Sequence, residues 1–179
     1  MPDEPTDEQL LRRFNRGDTA ALGDLAQRYE QPLLGLAMGL LGGRAEPARD
    51  AVQDSWVRVI RYGKGFSGQS TFKTWVYRIV INRCKDLRAA EQDHTADNGV
   101  VRSAPVHPME TAERSARLHA ALAHVPPEAR LVLLLCYHQG VTHPQAAEIL
   151  GIPIGTLKSR LSAALATLRL HLSTDESRV

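Results

Sequence analysis

Aromatic side chains make up only 5% of this 179-residue chain, and cysteine occurs just twice. Cys84 and Cys136 lie far apart on apolar helical faces, so they exclude a disulfide framework and read as buried thiols of a reducing cytosol. No apolar run approaches the roughly 20 residues needed to span a bilayer, and membrane insertion is not expected. The acidic opening MPDEPTDEQ does not read as a secretion signal, which places the chain in the cytoplasm. A net charge of only +2 gives no overall bias toward nucleic acid. There is no phosphate-cradling glycine motif and no zinc-protease signature. Of seven histidines, His138 and His143 come nearest to a cluster with Cys136, but their spacing fits no standard zinc pattern. No nucleophile, base and orienting acid can be assembled. Neither an enzyme, a cofactor nor a metal is expected.

What the chain does have is helical periodicity around a hydrophobic content of 43%. The clearest pattern is VTHPQAAEILGIPIGTLKSRLSAALATLRLHL, residues 141–172. Thr142 with Gln145 has the spacing of a capping box. Ala146, Ala147, Ile149 and Leu150 form a small apolar side, and Gly151 ends that helix as only glycine does cheaply. Pro153 suits the first turn of a second helix, along which Leu157, Leu161, Leu165, Leu168 and Leu172 form one buried stripe. Gly155, Thr156, Lys158, Ser159 and Arg160 stand at its start. A short helix, a glycine turn and a longer helix with a hydroxyl-rich, basic start form the helix-turn-helix pattern, whose second helix enters a major groove. A plain helical hairpin with solvated charges would read the same in isolation.

Before this motif the pattern is also helical. Thr6 and Gln9 form another capping box ahead of Leu10, Leu11 and Phe14. Gly17 and Asp18 break and restart a helix whose stripe runs through Leu22, Leu25, Tyr29, Leu33, Leu36 and Leu40, with Pro32 expected to kink or break it. Glu46 and Pro47 open the next, in which Ala48, Ala51, Val52, Ser55, Trp56, Val59 and Ile60 face inward. Asp50, Gln53, Asp54 and Val57 share another side that suits a basic partner or is simply solvated. Residues 63–70, GKGFSGQS, form a glycine loop around Phe66, and Ser70 is placed to cap the following helix. That helix turns Phe72, Trp75, Val76, Ile79, Val80, Cys84 and Leu87 inward and Lys73, Tyr77, Arg78, Asn82, Arg83 and Lys85 outward. Residues 91–109 are polar, hold two prolines and lack periodicity, so they read as a linker. The fold expected is all-α: two small helical domains, 1–90 and 110–179, joined by a flexible linker at 91–109, the second domain carrying the helix-turn-helix.

The cations are not spread evenly. Residues 58–88 hold eight basic side chains against the single acid Asp86, a local excess of +7 in a chain whose total is +2. Tyr62, Phe66, Phe72, Trp75 and Tyr77 interleave with them. Cations that track phosphates and aromatics that stack on bases make a single-strand surface, although Phe72 and Trp75 also fit a core.

Four stretches in this order carry a family resemblance: LLRRFNRGD; ARDAVQDSWVRVIR; FSGQSTFKTWVYRIVINRCKD; and VPPEARLVLLLCYHQGVTHPQAAEILGIPIGTLKSRL. Together they resemble the extracytoplasmic-function (ECF) sigma factors of bacterial RNA polymerase over about residues 8–172. The first domain resembles sigma region two and the second sigma region four. The resemblance implies that Asp50, Gln53, Asp54 and Val57 dock on core RNA polymerase. It implies that Phe66, Ser67, Gln69 and Ser70 capture a base flipped from the minus-ten element, with Trp75 and Asn82 close by. Lys73, Arg78, Arg83 and Lys85 would hold the melted strand, and Thr142, Gly155, Thr156, Lys158, Ser159 and Arg160 would read the minus-thirty-five duplex. The linker acids Glu91, Asp93 and Asp97 would line the approach to the polymerase's RNA path. Core polymerase, promoter DNA and an anti-sigma factor are the implied partners. Gln145, Ala146 and the pair His143-Pro144 depart from the family's usual residues, which bears on helix-turn-helix packing and promoter preference. Two other readings compete. An autonomous regulator of duplex operators would leave the first domain's basic aromatic face unexplained, and a DNA-free protein adaptor would leave the +7 segment unexplained.

Overall fold

A computed structural model of the chain describes residues 4–94 and 120–176. The chain divides into two compact units, Met1–Asp97 and Asn98–Val179, and among the described residues all regular structure is helical. Residues 95–109 of the expected linker, with its acid Asp97, lie outside the described residues.

The first unit begins at α1 (Asp7–Asn15), where the capping box forms: the Thr6 hydroxyl accepts the Gln9 N–H at 3.2 Å and Gln9 Oε1 accepts the Thr6 N–H at 2.8 Å. Asp18 caps α2 (Thr19–Leu40), its carboxylate accepting the Ala20 N–H at 3.1 Å. Pro32 lies inside α2, which continues past it to Leu40. Then come α3 (Ala45–Tyr62), a 3-10 turn at Gly63–Gly65, and α4 (Phe72–His94). Helix α2 packs on all three other helices. The core joins Leu10 and Leu11 of α1, Leu25, Tyr29, Leu33 and Leu36 of α2, Val52 and Val59 of α3, and Phe72, Val76 and Val80 of α4. Each such side chain contributes about 1.5–3 kcal/mol by leaving water.

Four expectations change here. The cap of α4 is Thr71, not Ser70: the Thr71 hydroxyl accepts the Thr74 N–H at 3.1 Å. Tyr77 points inward and is 2% exposed, packing edge-on against Tyr29 at 6.4 Å between ring centroids; burial pushes its phenol up to about 12. Ile60 points outward, 48% exposed. Trp56 is half-buried, its indole N–H donating to Glu30 at 2.8 Å. In addition, α4 runs to His94, so the expected boundary after residue 90 falls inside a helix. Its Glu91, expected in the linker, pairs through both carboxylate oxygens with Arg44 at the start of α3, and that guanidinium holds the Glu91 carboxyl below its usual range.

In the second unit residues 120–123 are helical. Then α5 (Pro127–Leu133) runs directly into a five-residue π-helical turn, Leu134–His138. The helix is therefore wider in this last turn. Cys136, expected buried, is half-buried on that turn, whereas Cys84 is buried. The Thr142–Gln145 capping box opens α6 (His143–Leu150), and Gly151 closes it in the left-handed conformation at φ 64°. Helix α7 (Ile154–Glu176) follows. Leu131, Val132 and Leu135 meet Val141, Ala146 and Ile149 of the turn and α6, and Leu157, Leu161 and Ala164 of α7. The leucine stripe fades along α7: Leu165 and Leu168 are half-buried and Leu172 is 41% exposed.

Candidate nucleic-acid and protein interfaces

Helix α3 turns five side chains to one side. Asp50, Gln53, Asp54 and Val57 fall at i, i+3, i+4 and i+7, so they share a face as expected. Ile60 continues it three residues on, and the exposed Val57 and Ile60 leave an apolar end beside the acids. Periodicity assigns Ile60 to the core, but the helix's buried side ends at Val59. The five are not equally free. Asp50 and Gln53 are exposed, whereas Asp54 accepts a hydrogen bond from Arg83 Nε at 2.7 Å across the α3–α4 contact.

The expected strand-binding residues divide into three sets. Trp75, Arg78, Asn82 and Lys85 recur at i, i+3, i+7 and i+10, one stripe along α4. Asn82 and Lys85 are exposed and Trp75 and Arg78 half-buried. Phe66 joins this stripe from the loop, its ring 5.2 Å from that of Trp75, while Phe72 meets the same indole edge-on at 6.0 Å. Trp75 is thus fixed between two rings with part of its own surface open. Ser67 and Gln69 are exposed in the loop and Ser70 is half-buried. The second set is Arg83, which faces α3 and Asp54. The third is Lys73, on the opposite side of α4 from Asn82, with its ammonium 5.8 Å over the Tyr77 ring.

On α7 the outward face of the first turns holds Gly155, Thr156, Lys158 and Ser159. The Ser159 hydroxyl donates to the Thr156 carbonyl at 2.9 Å. Ser162, which sequence reasoning missed, is exposed on the same side, three residues after Ser159. Arg160 lies at the flank, its guanidinium 2.5 Å from the Glu128 carboxylate of α5. Thr142 spends its hydroxyl on the α6 cap. Among the described residues no three His, Cys, Asp or Glu side chains converge as metal ligands, and no helix is long and apolar enough to cross a membrane.

Both parts of the chain match known proteins. Residues 25–93 match the family model for sigma-70 region 2, and residues 115–168 that for sigma-70 region 4. The RNA polymerase sigma-H factor of Pseudomonas aeruginosa is 28% identical, the alignment covering 92% of each chain. The ECF RNA polymerase sigma-E factor of Escherichia coli K12 is 27% identical, with 92% of this chain and 93% of that one covered. Among solved structures, the fold is shared with CnrH in complex with the cytosolic domain of CnrY, at a TM-score of 0.76 and 24% identity over 94% of this chain and 98% of that one. The sigma factor RpoE of Bartonella quintana, in complex with the anti-sigma factor NepR, gives a TM-score of 0.70 at 25% identity, over 85% of this chain and 98% of that one. The chain belongs to the sigma-70 family of transcription initiation factors and, within it, to the ECF RNA polymerase sigma factors.

Proposed function

We propose that this chain binds core RNA polymerase through the α3 face of Asp50, Gln53, Asp54, Val57 and Ile60 and directs promoter-specific initiation. In this reading Phe66, Ser67, Gln69 and Ser70 take up a base flipped from the minus-ten element. The stripe Trp75, Arg78, Asn82 and Lys85 holds the melted strand. Gly155, Thr156, Lys158 and Ser159 read the minus-thirty-five element as duplex, with Thr142, Ser162 and Arg160 at the edges. Lys73 and Arg83 join the minus-ten surface only by leaving Tyr77 and Asp54. The chain carries no catalysis of its own, needs no cofactor or metal, and works in the cytoplasm where the polymerase is. An anti-sigma protein holds it inactive; the complex of RpoE with the anti-sigma factor NepR supports that part.

One observation carries the reading. A single chain bears an aromatic-basic stripe, of the kind suited to unpaired bases, and a helix-turn-helix, of the kind suited to duplex. An autonomous duplex-binding regulator has no use for the first. In vitro transcription of a genomic fragment library by core polymerase, with and without this chain, tests it. New start sites that require the chain are expected. Operator binding without polymerase, and no new start sites, would favour the regulator.

A further inference from the structure

Helix α1 lies before the stretch matched to region 2, which begins at residue 25, and none of the roles above falls on it. Yet α1 grips both ends of the loop that carries Phe66. At the loop's start Asn15 Nδ2 donates to the Gly63 carbonyl at 2.9 Å. The approach is so close that a Cβ at Gly63 would meet Leu11 Cδ1 at 3.2 Å and Asn15 Oδ1 at 3.3 Å. At the loop's end Glu8 accepts the Phe72 backbone N–H at 2.9 Å. Glu8, Arg12 and Asn15 fall at i, i+4 and i+7, so Arg12 stands on the ridge between the two anchoring points, and Arg16 follows one turn later. Both arginines are exposed. Neither pairs with an acid among the described residues, whereas Arg13 between them is taken by Asp18 at 2.8 Å. Lys64 is exposed in the turn that Asn15 anchors.

We infer that Arg12 and Arg16, with Lys64, bind the phosphates of the unpaired strand next to the base held by the Phe66 loop. The ligand is the backbone of single-stranded DNA, recognised by charge and not by sequence. This rests on the reading of α4 and its loop as the melted-strand surface. A strand that runs along Trp75, Arg78 and Asn82 and enters the loop at Phe66 must leave past the loop's flank, and α1 is fastened to both of its ends. A bland role is also available to Arg12: near the end of α1 it complements the helix dipole without touching DNA.

The test uses holoenzyme assembled from core polymerase and the full chain. The probe is a fluorescent duplex with an unpaired oligothymidine bubble, and its affinity is followed across salt concentrations by anisotropy. Each single-strand phosphate contact contributes roughly 0.7 to the slope of log affinity against log salt. The double variant Arg12→Gln, Arg16→Gln is expected to lower that slope by about 1.4 and to leave the slope on the fully paired duplex unchanged. The double lysine variant should keep the wild-type slope, because charge suffices. An unchanged slope on the bubble, or an equal fall on both probes, overturns the inference. A wild-type chain that adds nothing to the affinity of core polymerase alone for the bubble overturns instead the reading of the first unit on which it rests.

Discussion

Asp50 and Asp54 sit one turn apart on α3 and differ in what a charge reversal would do. Asp50 is exposed on the outer face. Asp54 accepts from Arg83 at 2.7 Å, and both side chains remain partly open to water, 47% and 29% respectively. A lysine at position 54 would face Arg83 and add like-charge repulsion to whatever partner contact it removes, so Asp50→Lys is the cleaner probe. It is expected to weaken binding to core polymerase at least tenfold while the melting temperature stays within a few degrees. Asp54→Asn should cost no more than about 1 kcal/mol of stability, the upper range for an exposed pair. Equilibrium binding of labelled chain to core polymerase, with thermal melts of each variant, measures both. Full affinity in folded Asp50→Lys would remove α3 from the interface. Arg160 poses a related question. Its pair with Glu128 at 2.5 Å draws the guanidinium toward α5 and away from the outward face of α7. Releasing it with Glu128→Gln should add a phosphate contact on duplex DNA, steepening the salt dependence by about 0.9. Arg160→Ala in the same background should return it. If Arg160→Ala alone flattens the slope by that much, the arginine already reaches phosphate with Glu128 in place.

At the scale of elements, the Phe66 loop and α4 work as one piece. Trp75 packs between Phe66 and Phe72, so Phe66→Ala removes a ring contact of about 0.5–1.5 kcal/mol as well as any base stacking. Asn82 is exposed and stands two turns away along the same stripe. Flipping a base costs a few kcal/mol that stacking and edge hydrogen bonds offset, and one stacked base is worth about 1–3 kcal/mol. Phe66→Ala and Asn82→Ala are each expected to reduce promoter melting more than initial engagement. Permanganate reactivity of unpaired thymines, compared at equal polymerase occupancy, measures this. Wild-type melting by both variants would mean that the loop does not form the base pocket. This piece also marks how far the sequence could be read. Caps such as Thr6–Gln9 and Thr142–Gln145 were legible because all their partners lie within four residues. Helical period separated Asn82 and Lys85 from Val76 and Val80. It did not say which neighbour covers a border position: Tyr77 is buried because Tyr29 meets it, and Ile60 is open because among the described residues no helix covers that side of α3. Nor does period reveal pairs such as Arg44–Glu91 or Asp54–Arg83, whose members lie far apart in the chain and meet only through tertiary packing. The π-helical turn at Leu134–His138 was hidden for another reason, since its leucines fit an α-helix equally well.

For the whole molecule, the chain divides into two compact units between Asp97 and Asn98, and the two matched regions fall one on each side of that division in the sequence. In the proposed reading, two recognition surfaces on one chain raise each other's occupancy through effective concentration, which depends on the connection and not on any new contact. Charge follows the same division of labour. The +7 excess of residues 58–88 belongs wholly to the first unit, while the outward start of α7 in the second carries Lys158 among small and hydroxyl side chains. Salt should therefore act more strongly on the melted-strand contacts, and geometry should decide the duplex contacts. Lengthening the connection isolates the coupling. A flexible insert between Asp97 and Asn98 that doubles the distance in residues between the two surfaces should lower the effective concentration by about threefold, as the −3/2 power of length. Affinity for a two-element promoter, obtained from the transcription screen, should fall by that factor. Templates with only a pre-melted minus-ten segment, or only the upstream duplex element, should be bound as before. The insert should also widen the range of spacings between the two elements that still support transcription, because the second unit can then reach a displaced element. Holoenzyme binding to all three templates, together with a spacing series in run-off transcription, reads both effects. Equal losses on the single-element templates would show that the insert damaged a unit. An unchanged two-element affinity with an unchanged spacing optimum would show that core polymerase, and not the chain's own connection, sets the distance between the units.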